Sequence, residues 1–266
     1  MLRKALLLLA GCGFAFGLYV AAGLPARGQV RDLVRTNPGK TGIMRQREGE
    51  ARAAKRKPRL DQVWVPISRI SRHLIHAVIA SEDQKFFGHE GVDWEAIQAS
   101  IEKDIEKRRF AVGGSTISQQ LVKNLFFSTE KSLVRKLREV VVVRWLEQDV
   151  SKKRILELYL NVIEWGDSVY GCEAAARRHH GKSAADLTPA EAAGLAGMIP
   201  NPRRIDPRLS PDRYARAQKR VLWLMARAGY IERDLGSMGA EPPPVEIPAE
   251  PLEIPADPEA EPGGGP

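Results

Sequence analysis

The apolar run near the amino terminus constrains this chain most strongly. From Ala5 to Leu24 the sequence carries no charge, and Arg3 and Lys4 precede it. A run of about 20 such residues is the length that a bilayer-spanning helix needs. Residues 1–25 are therefore predicted to form a short cytoplasmic amino terminus and one transmembrane helix.

Three features leave other interpretations of this run open. A cleaved signal peptide is one alternative, although Leu24–Ala26 is a poor cleavage site and the run is long. Leu9–Cys12 resembles a lipoprotein box, but Cys12 comes early and the apolar run continues beyond it. The positive-inside rule also conflicts with a cytoplasmic amino end, since four basic residues follow the span: Arg27, Arg31, Arg35 and Lys40.

Residues 26–60 carry many basic and few large apolar side chains, with a turn signal at Asn37–Gly39. They are predicted to form a mobile, cationic stalk, which anionic lipid head groups would attract by about 1 kcal/mol per basic residue. The formal net charge of the chain is +8. No basic-aromatic motif or recognition helix is present, so nucleic acid is not expected as a partner.

The rest of the chain is predicted to be nearly all-α from residue 61 to 235, with a disordered Pro/Glu-rich tail at 236–266. Helix starts are predicted at six capping residues: Ser71, Asp93, Ser132, Ser151, Thr188 and Ser210. The two cysteines, Cys12 and Cys172, predict no structural disulfide, and the histidines show no metal-binding spacing.

One carboxylate stands at the end of an apolar helical stripe. Leu74, Val78 and Glu82 recur every four residues and so share one face of a helix that is predicted to run from the Ser71 cap to about Phe86. Desolvation on that face would raise the pKa of Glu82 toward the range of a general base or acid. The alternative is a helix-end glutamate that reaches solvent or pairs with Lys85.

A second group of polar residues follows Gly113–Thr116. Glycines before Ser and Thr at a helix start can offer backbone N–H groups and hydroxyls to an anion. The helix behind them is rich in amides and an ammonium: Gln119, Gln120, Lys123 and Asn124. A plain loop with an N-cap is the alternative.

Glu139 is a second carboxylate flanked by apolar residues. It shares a predicted helix face with Arg135, Val142 and Leu146. An ordinary surface ion pair between Arg135 and Glu139 is the alternative.

Four ordered motifs between about residues 61 and 210 resemble those of the peptidoglycan glycosyltransferases of glycosyltransferase family 51. They are Glu82-Asp83-x-x-Phe86-x-x-His89-x-Gly91, Gly113-Gly114-Ser115-Thr116-Ile117-Ser118-Gln119-Gln120-Leu121-x-Lys123-Asn124, Arg135-Lys136-x-x-Glu139, and Lys153-x-Ile155-Leu156-Glu157-x-Tyr159-Leu160-Asn161.

The short chain and single span resemble the monofunctional biosynthetic transglycosylases, since no transpeptidase module with a Ser-x-x-Lys motif follows. The resemblance implies a lysozyme-like helical fold with head and jaw lobes. It also implies a single-pass protein of the bacterial inner membrane, with the catalytic domain on the periplasmic side, that polymerises lipid II. The implied partners are lipid II, the growing glycan strand, membrane lipids and other cell-wall synthesis proteins.

The resemblance also implies roles for single residues. Glu82 matches the catalytic base, Glu139 the second essential carboxylate, and Lys123 a lysine that contacts the donor phosphate. Phe86 and His89 are expected to form the wall beside Glu82. The remaining substrate-binding residues implied are Gly114, Ser115, Thr116, Gln119, Gln120, Asn124, Lys131, Arg135 and Lys136. No protein-held metal is expected, although a divalent cation, Mg²⁺ or Mn²⁺, could accompany the donor diphosphate.

Two departures from the family pattern stand out. Lys131 occupies a position where the family usually has Arg, which keeps the charge and loses the bidentate fork. His179-His180 replaces an aromatic pair, which affects packing more than chemistry. The alternatives to glycan synthesis are a lysozyme-like hydrolase or lytic transglycosylase, and a non-catalytic membrane-tethered scaffold.

Overall fold

The computed structural model describes residues 2–94, 98, 115–130 and 132–232. Ten α-helices lie within these ranges: α1 Leu2–Ala22, α2 Arg27–Asp32, α3 Gly42–Ala53, α4 Arg72–Glu82, α5 Ile117–Phe126, α6 Leu133–Asp149, α7 Lys152–Val162, α8 Cys172–His180, α9 Pro189–Met198 and α10 Pro211–Arg227. The all-α prediction is confirmed. Most of the helix predicted after Asp93, and the whole tail at 236–266, lie outside the described residues.

A small sheet interrupts the helices. The strands β1 Asp61–Gln62, β2 Glu164–Gly166 and β3 Val169–Tyr170 are arranged in the order β1-β3-β2. β1 runs parallel to β3, and β2 runs antiparallel to it. The sequence does not predict this sheet, because its strands are only two or three residues long.

Local capping explains most helix starts. The side chains of Ser71, Ser132, Ser151 and Thr188 each accept a hydrogen bond from a backbone N–H in the first turn of the following helix. These four predictions are confirmed because a cap depends only on neighbouring residues. Ser210 precedes α10 as predicted, but it makes no side-chain cap hydrogen bond.

One continuous core joins the elements around the candidate site. α9 is buried from Ala192 to Met198 and packs against α4 and α10. α5 packs against α6 and α7. Both α4 and α5 contribute buried residues to this core, among them Val78 and Leu121.

The prediction of a mobile stalk at residues 26–60 is wrong. α2 and α3 lie in this segment, and Val30 and Leu33 belong to the same buried core as α4 to α10. Some of the basic residues there have carboxylate partners in the helical domain: Arg27 and Arg31 lie 3.4 Å from Asp149, and Arg47 bonds Glu164 at 2.9 Å. Pairing with distant carboxylates, which the sequence does not reveal, holds this cationic segment in place.

α1 is long and apolar enough between Arg3 and Ala22 to cross a membrane, and none of its most apolar window is buried. This finding is consistent with the predicted single membrane anchor. The fold by itself leaves the orientation of the span a prediction.

Candidate active site

Glu82 is the last residue of α4 and is partly buried. Its Oε2 atom accepts a hydrogen bond of 2.7 Å from Nε2 of Gln120, in α5. Burial raises the pKa of Glu82, while the Gln120 hydrogen bond and the positive charge of Lys123 oppose that rise. The carboxyl is therefore more basic than a solvated one, as the spacing predicts.

The helix with Glu82 is shorter than predicted, since it ends at Glu82 rather than near Phe86. Asp83 turns away from Glu82 and accepts hydrogen bonds from Ile117 N and from His89 Nε2, each at 3.0 Å. Asp83 thus fixes the first turn of α5, and this contact across the chain ends α4.

Tyr159 fixes the orientation of the Gln120 amide. The buried Tyr159 hydroxyl donates to Oε1 of Gln120 at 2.9 Å. Burial, with the negative charges of Glu82 and Asp83, raises the pKa of Tyr159 well above its usual value, so the hydroxyl keeps its proton. The amide must accept from Tyr159, and its NH₂ group consequently faces Glu82.

Glu139 is buried in α6 and lies among cations. It forms ion pairs with Arg135 Nη1 and with Lys136 Nζ, the latter at 3.5 Å. Lys136 Nζ also lies 3.5 Å from Ser115 Oγ, just before α5. The Arg135–Glu139 pair is present as the simpler alternative proposed, but its carboxylate is only 2 % exposed and so is not a surface group.

Lys123 connects the two carboxylates electrostatically. Burial lowers its pKa, and the charges of Glu139 and Glu82 counteract this effect, while Arg135 and Lys136 add to it. Gln120 and Lys123 are three residues apart and share one face of α5. The base candidate, an ammonium group and the cationic cluster of α6 therefore surround one region.

Three of the other predicted site residues form hydrogen bonds with the backbone of α5 or its first turn. Thr116 and Gln119 close a reciprocal capping box at the start of α5, so their side chains bond backbone there. Asn124 donates to the Gln120 carbonyl at 2.8 Å. Gly114 and Lys131 lie outside the described residues.

Phe86 and His89 lie next to Glu82 in the chain but contact other groups. His89 bonds Asp83, and Gly91 N donates to His89 Nδ1 at 3.0 Å. The Phe86 ring is fully buried with Lys152 Nζ 4.6 Å from its centroid. They support the segment after α4 rather than the carboxylate directly.

Two residues at the site were missed by the sequence analysis. Tyr159 stands in the fourth motif without an assigned role, although a hydroxyl on a buried helix signals a hydrogen-bond partner. Arg220, in α10, lowers the pKa of Glu82 by its positive charge. No local pattern connects Arg220 with Glu82.

The described residues do not fit a divalent cation held by the protein alone. No group of three His, Cys, Asp or Glu side chains with metal-binding geometry occurs among them. Both carboxylate oxygens of Glu139 face cations.

His179, one of the residues that depart from the family pattern, packs as a buried aromatic would. Its side chain is 1 % exposed, and burial lowers its pKa, so the ring stays neutral. Among the described residues neither ring nitrogen has a hydrogen-bond partner.

Comparison with known proteins identifies the family. The family model described as Transglycosylase matches residues 49–226. A biosynthetic peptidoglycan transglycosylase of Dechloromonas aromatica is 56 % identical over 170 residues, which cover 64 % of this chain and 74 % of that protein. Proteins of the same description from Aromatoleum aromaticum and Azoarcus sp. are each 50 % identical, covering 69 % and 70 % of this chain and 80 % and 82 % of theirs. The chain therefore belongs to the transglycosylase family, as its four motifs predict.

Proposed function

We propose that this peptidoglycan transglycosylase polymerises lipid II into β-1,4-linked glycan strands and releases undecaprenyl diphosphate, without acyl transfer. One observation carries the proposal: a desolvated carboxylate, Glu82, and a cluster of cations around Glu139 are joined through Lys123 on α5. A lipid-linked sugar needs one base for the acceptor hydroxyl and several cations for its diphosphate leaving group. Glu82 and the cations around Glu139 supply these groups.

The proposed step is a direct displacement. Glu82 takes the proton of the acceptor 4-hydroxyl as its oxygen forms a bond to C1 of the donor sugar. The bond from C1 to the phosphate oxygen breaks, and the electron pair leaves with the diphosphate. Attack from the opposite face inverts the anomeric centre, so an α-linked donor gives a β-linked glycan.

The cations stabilise the charge that develops on the leaving group. The positive charges of Lys123, Arg135 and Lys136 lie in a partly buried region, where electrostatic interactions are stronger than in water. Removing one preorganised donor from an oxyanion site costs about 2.7 to 4 kcal/mol. Each of these cations is expected to contribute on that scale.

The raised pKa of Glu82 favours one alternative, a glycan-cleaving enzyme. Such an enzyme needs a protonated carboxyl facing the leaving sugar oxygen. It does not need a cluster of cations for a diphosphate. Glycan synthesis therefore explains both the carboxylate and the cations of the site, whereas glycan cleavage explains only the carboxylate.

We place the catalytic domain on the periplasmic side of the inner membrane, with α1 as the anchor. Lipid II, the growing strand and membrane lipids are the partners proposed. Cell-wall synthesis proteins are further proposed partners.

The test is a polymerisation assay with purified full-length protein and lipid II. Glu82→Gln should abolish polymerisation while circular dichroism shows an unchanged fold. Glu90→Gln is the matched control, because Glu90 is an exposed glutamate in the segment that follows α4. Polymerisation by Glu82→Gln would overturn the assignment of the base, and shortening of isolated glycan strands by the wild type would favour the cleaving enzyme.

A further inference from the structure

We propose that Arg138 anchors the carboxyl end of α1 to α6, and that this anchor sets the orientation of the Arg135–Lys136–Glu139 cluster relative to the membrane. This inference rests on the proposed function and on α1 crossing the bilayer. Arg138 is a positioning residue here, acting through the helix that carries Glu139.

The guanidinium of Arg138 binds backbone carbonyls in the last turn of α1. Its Nη2 donates to the Tyr19 carbonyl at 2.6 Å and its Nε donates to the Val20 carbonyl at 3.0 Å. Its Cζ also lies 5.1 Å from the centroid of the Tyr19 ring. The last carbonyls of a helix have few intrahelical partners and carry the negative end of its dipole, so a cation with several donors stabilises them.

Gly23 leaves the room for this contact. A Cβ atom at position 23 would lie 2.1 Å from Arg138 Cζ. Its φ is not in the left-handed region, so the backbone itself tolerates other residues. Glycine at this position therefore allows the guanidinium of Arg138 to lie against the backbone.

A second contact keeps the following segment on the same helix. Nε of Arg27 and Nε of Arg31, both in α2, each lie 3.4 Å from Asp149 Oδ2 at the end of α6. Arg138 and Asp149 are about 16 Å apart along that helix. The Arg138 contact holds the end of α1 and the Asp149 contacts hold α2, so the chain is attached to α6 on both sides of residues 23–26.

The anchored face of α6 adjoins the face that carries the site. Arg138 and Glu139 are consecutive, so their side chains point about 100° apart around the helix. Any tilt of α6 relative to α1 moves Glu139 and its cations relative to the bilayer. A donor whose lipid lies in the membrane meets these groups only in a narrow range of orientations.

Activity in two settings separates orientation from local chemistry. Full-length Arg138→Ala should polymerise lipid II in liposomes about tenfold more slowly than wild type, because misplaced reactants lose rate steeply. With a short-chain, water-soluble lipid II analogue in detergent, it should stay within about twofold, because free donors find the site in any orientation. Arg138→Lys, which keeps the charge and loses the fork, should fall between.

Glycine variants test the same contact without touching the guanidinium. Gly23→Ala should displace Arg138 and cause the same loss in liposomes, and the double variant should be no worse than Arg138→Ala alone. Gly17→Ala in α1 is the matched control, because a Cβ there meets nothing within 4 Å. Equal losses in liposomes and detergent, or additive losses in the double variant, would overturn the proposal.

A distance measurement is independent of activity. Cys12 is exposed in α1 and Cys172 is buried, so spin labels can be placed at Cys12 and at Lys219→Cys, an exposed position in α10. The distance distribution in liposomes should be narrow in wild type and Gly17→Ala, and broad in Arg138→Ala and Gly23→Ala. Unchanged distributions would refute the anchor. Broad distributions in Arg138→Ala and Gly23→Ala, together with a wild type that does not polymerise lipid II, would support the anchor and overturn the proposed function.

Discussion

Replacing Tyr159 with Phe removes one hydroxyl from the site and leaves the ring in place. That hydroxyl is the donor to Gln120 Oε1, at 2.9 Å. Without it, the amide loses the contact that holds its NH₂ group toward Glu82. The variant should therefore alter the titration of the base while preserving the packing of α7.

The size of the effect follows from the two hydrogen bonds. A buried carbonyl left without a donor costs about 1 to 3 kcal/mol, so some loss of stability is expected. The Gln120 bond to Glu82 goes to a charged group and contributes about 1.5 to 3 kcal/mol. Losing between half and all of it would disfavour the carboxylate by about 0.75 to 3 kcal/mol and so raise the pKa of Glu82.

The sign of the kinetic effect is fixed by the role of Glu82. The Gln120 bond stabilises the carboxylate, so weakening it favours the protonated acid and raises the pKa of Glu82. Because the base must be deprotonated, the acidic limb of kcat/KM should move about one pH unit higher. Activity should fall about tenfold below that limb and recover above it.

The assay is the pH profile of lipid II polymerisation at constant ionic strength. Tyr214→Phe is the matched control, since the buried Tyr214 hydroxyl has no hydrogen-bond partner among the described residues. An acidic limb that stays in place in Tyr159→Phe, or one that moves equally in the control, would refute the amide-orienting role of Tyr159.

Three further predictions test the charges and the fold. Lys123→Ala should lower kcat/KM for lipid II by about 10²- to 10³-fold with helix content unchanged, and unaltered kinetics would count against the cationic cradle. Glu82→Gln should unfold at a higher temperature than wild type at pH 8. Because the pKa of Glu82 is raised in the folded state, wild type loses stability as the pH rises through that folded-state pKa. The difference in melting temperature between the two proteins should vanish below the unfolded-state pKa of about 4.5. Thr188→Ala should cost about 1 kcal/mol by removing the cap of α9, seen as a melting temperature about 2 to 4 °C lower, and an unchanged melting temperature would show that the cap contributes nothing.

Local signals predicted the helices well because their causes are local. Thr188 caps α9 as predicted, and Glu191 completes a capping box there. The run Val140–Val143 suits a strand by composition, yet it lies within the predicted helix α6. Length and caps therefore outweighed the β-branched residues.

The failures arise where a distant residue decides the outcome. α4 ends at Glu82 because Asp83 bonds Ile117, far along the chain. The short strand β1 pairs with β3 across more than 100 residues, and two-residue strands carry no pattern of their own. No window of sequence contains these partners.

The site was predicted unevenly for the same reason. The family resemblance identified Glu82, Lys123 and Glu139, and the structure brings these three groups to one region. It did not assign Tyr159, whose role depends on the amide of Gln120 facing one way. A motif records which residues are present, whereas the direction of an amide is decided by packing.

Consecutive residues at the end of α4 connect the base to the helix that serves it. Glu82 faces the site, while Asp83 holds the first turn of α5 through Ile117. α5 in turn places Gln120 against Glu82 and Lys123 between the two carboxylates. Burial raises the pKa of Glu82 and lowers that of Lys123, so each charge is costly alone and is stabilised by the other. The end of α4 therefore fixes both the position of the base and the electrostatic field in which it works.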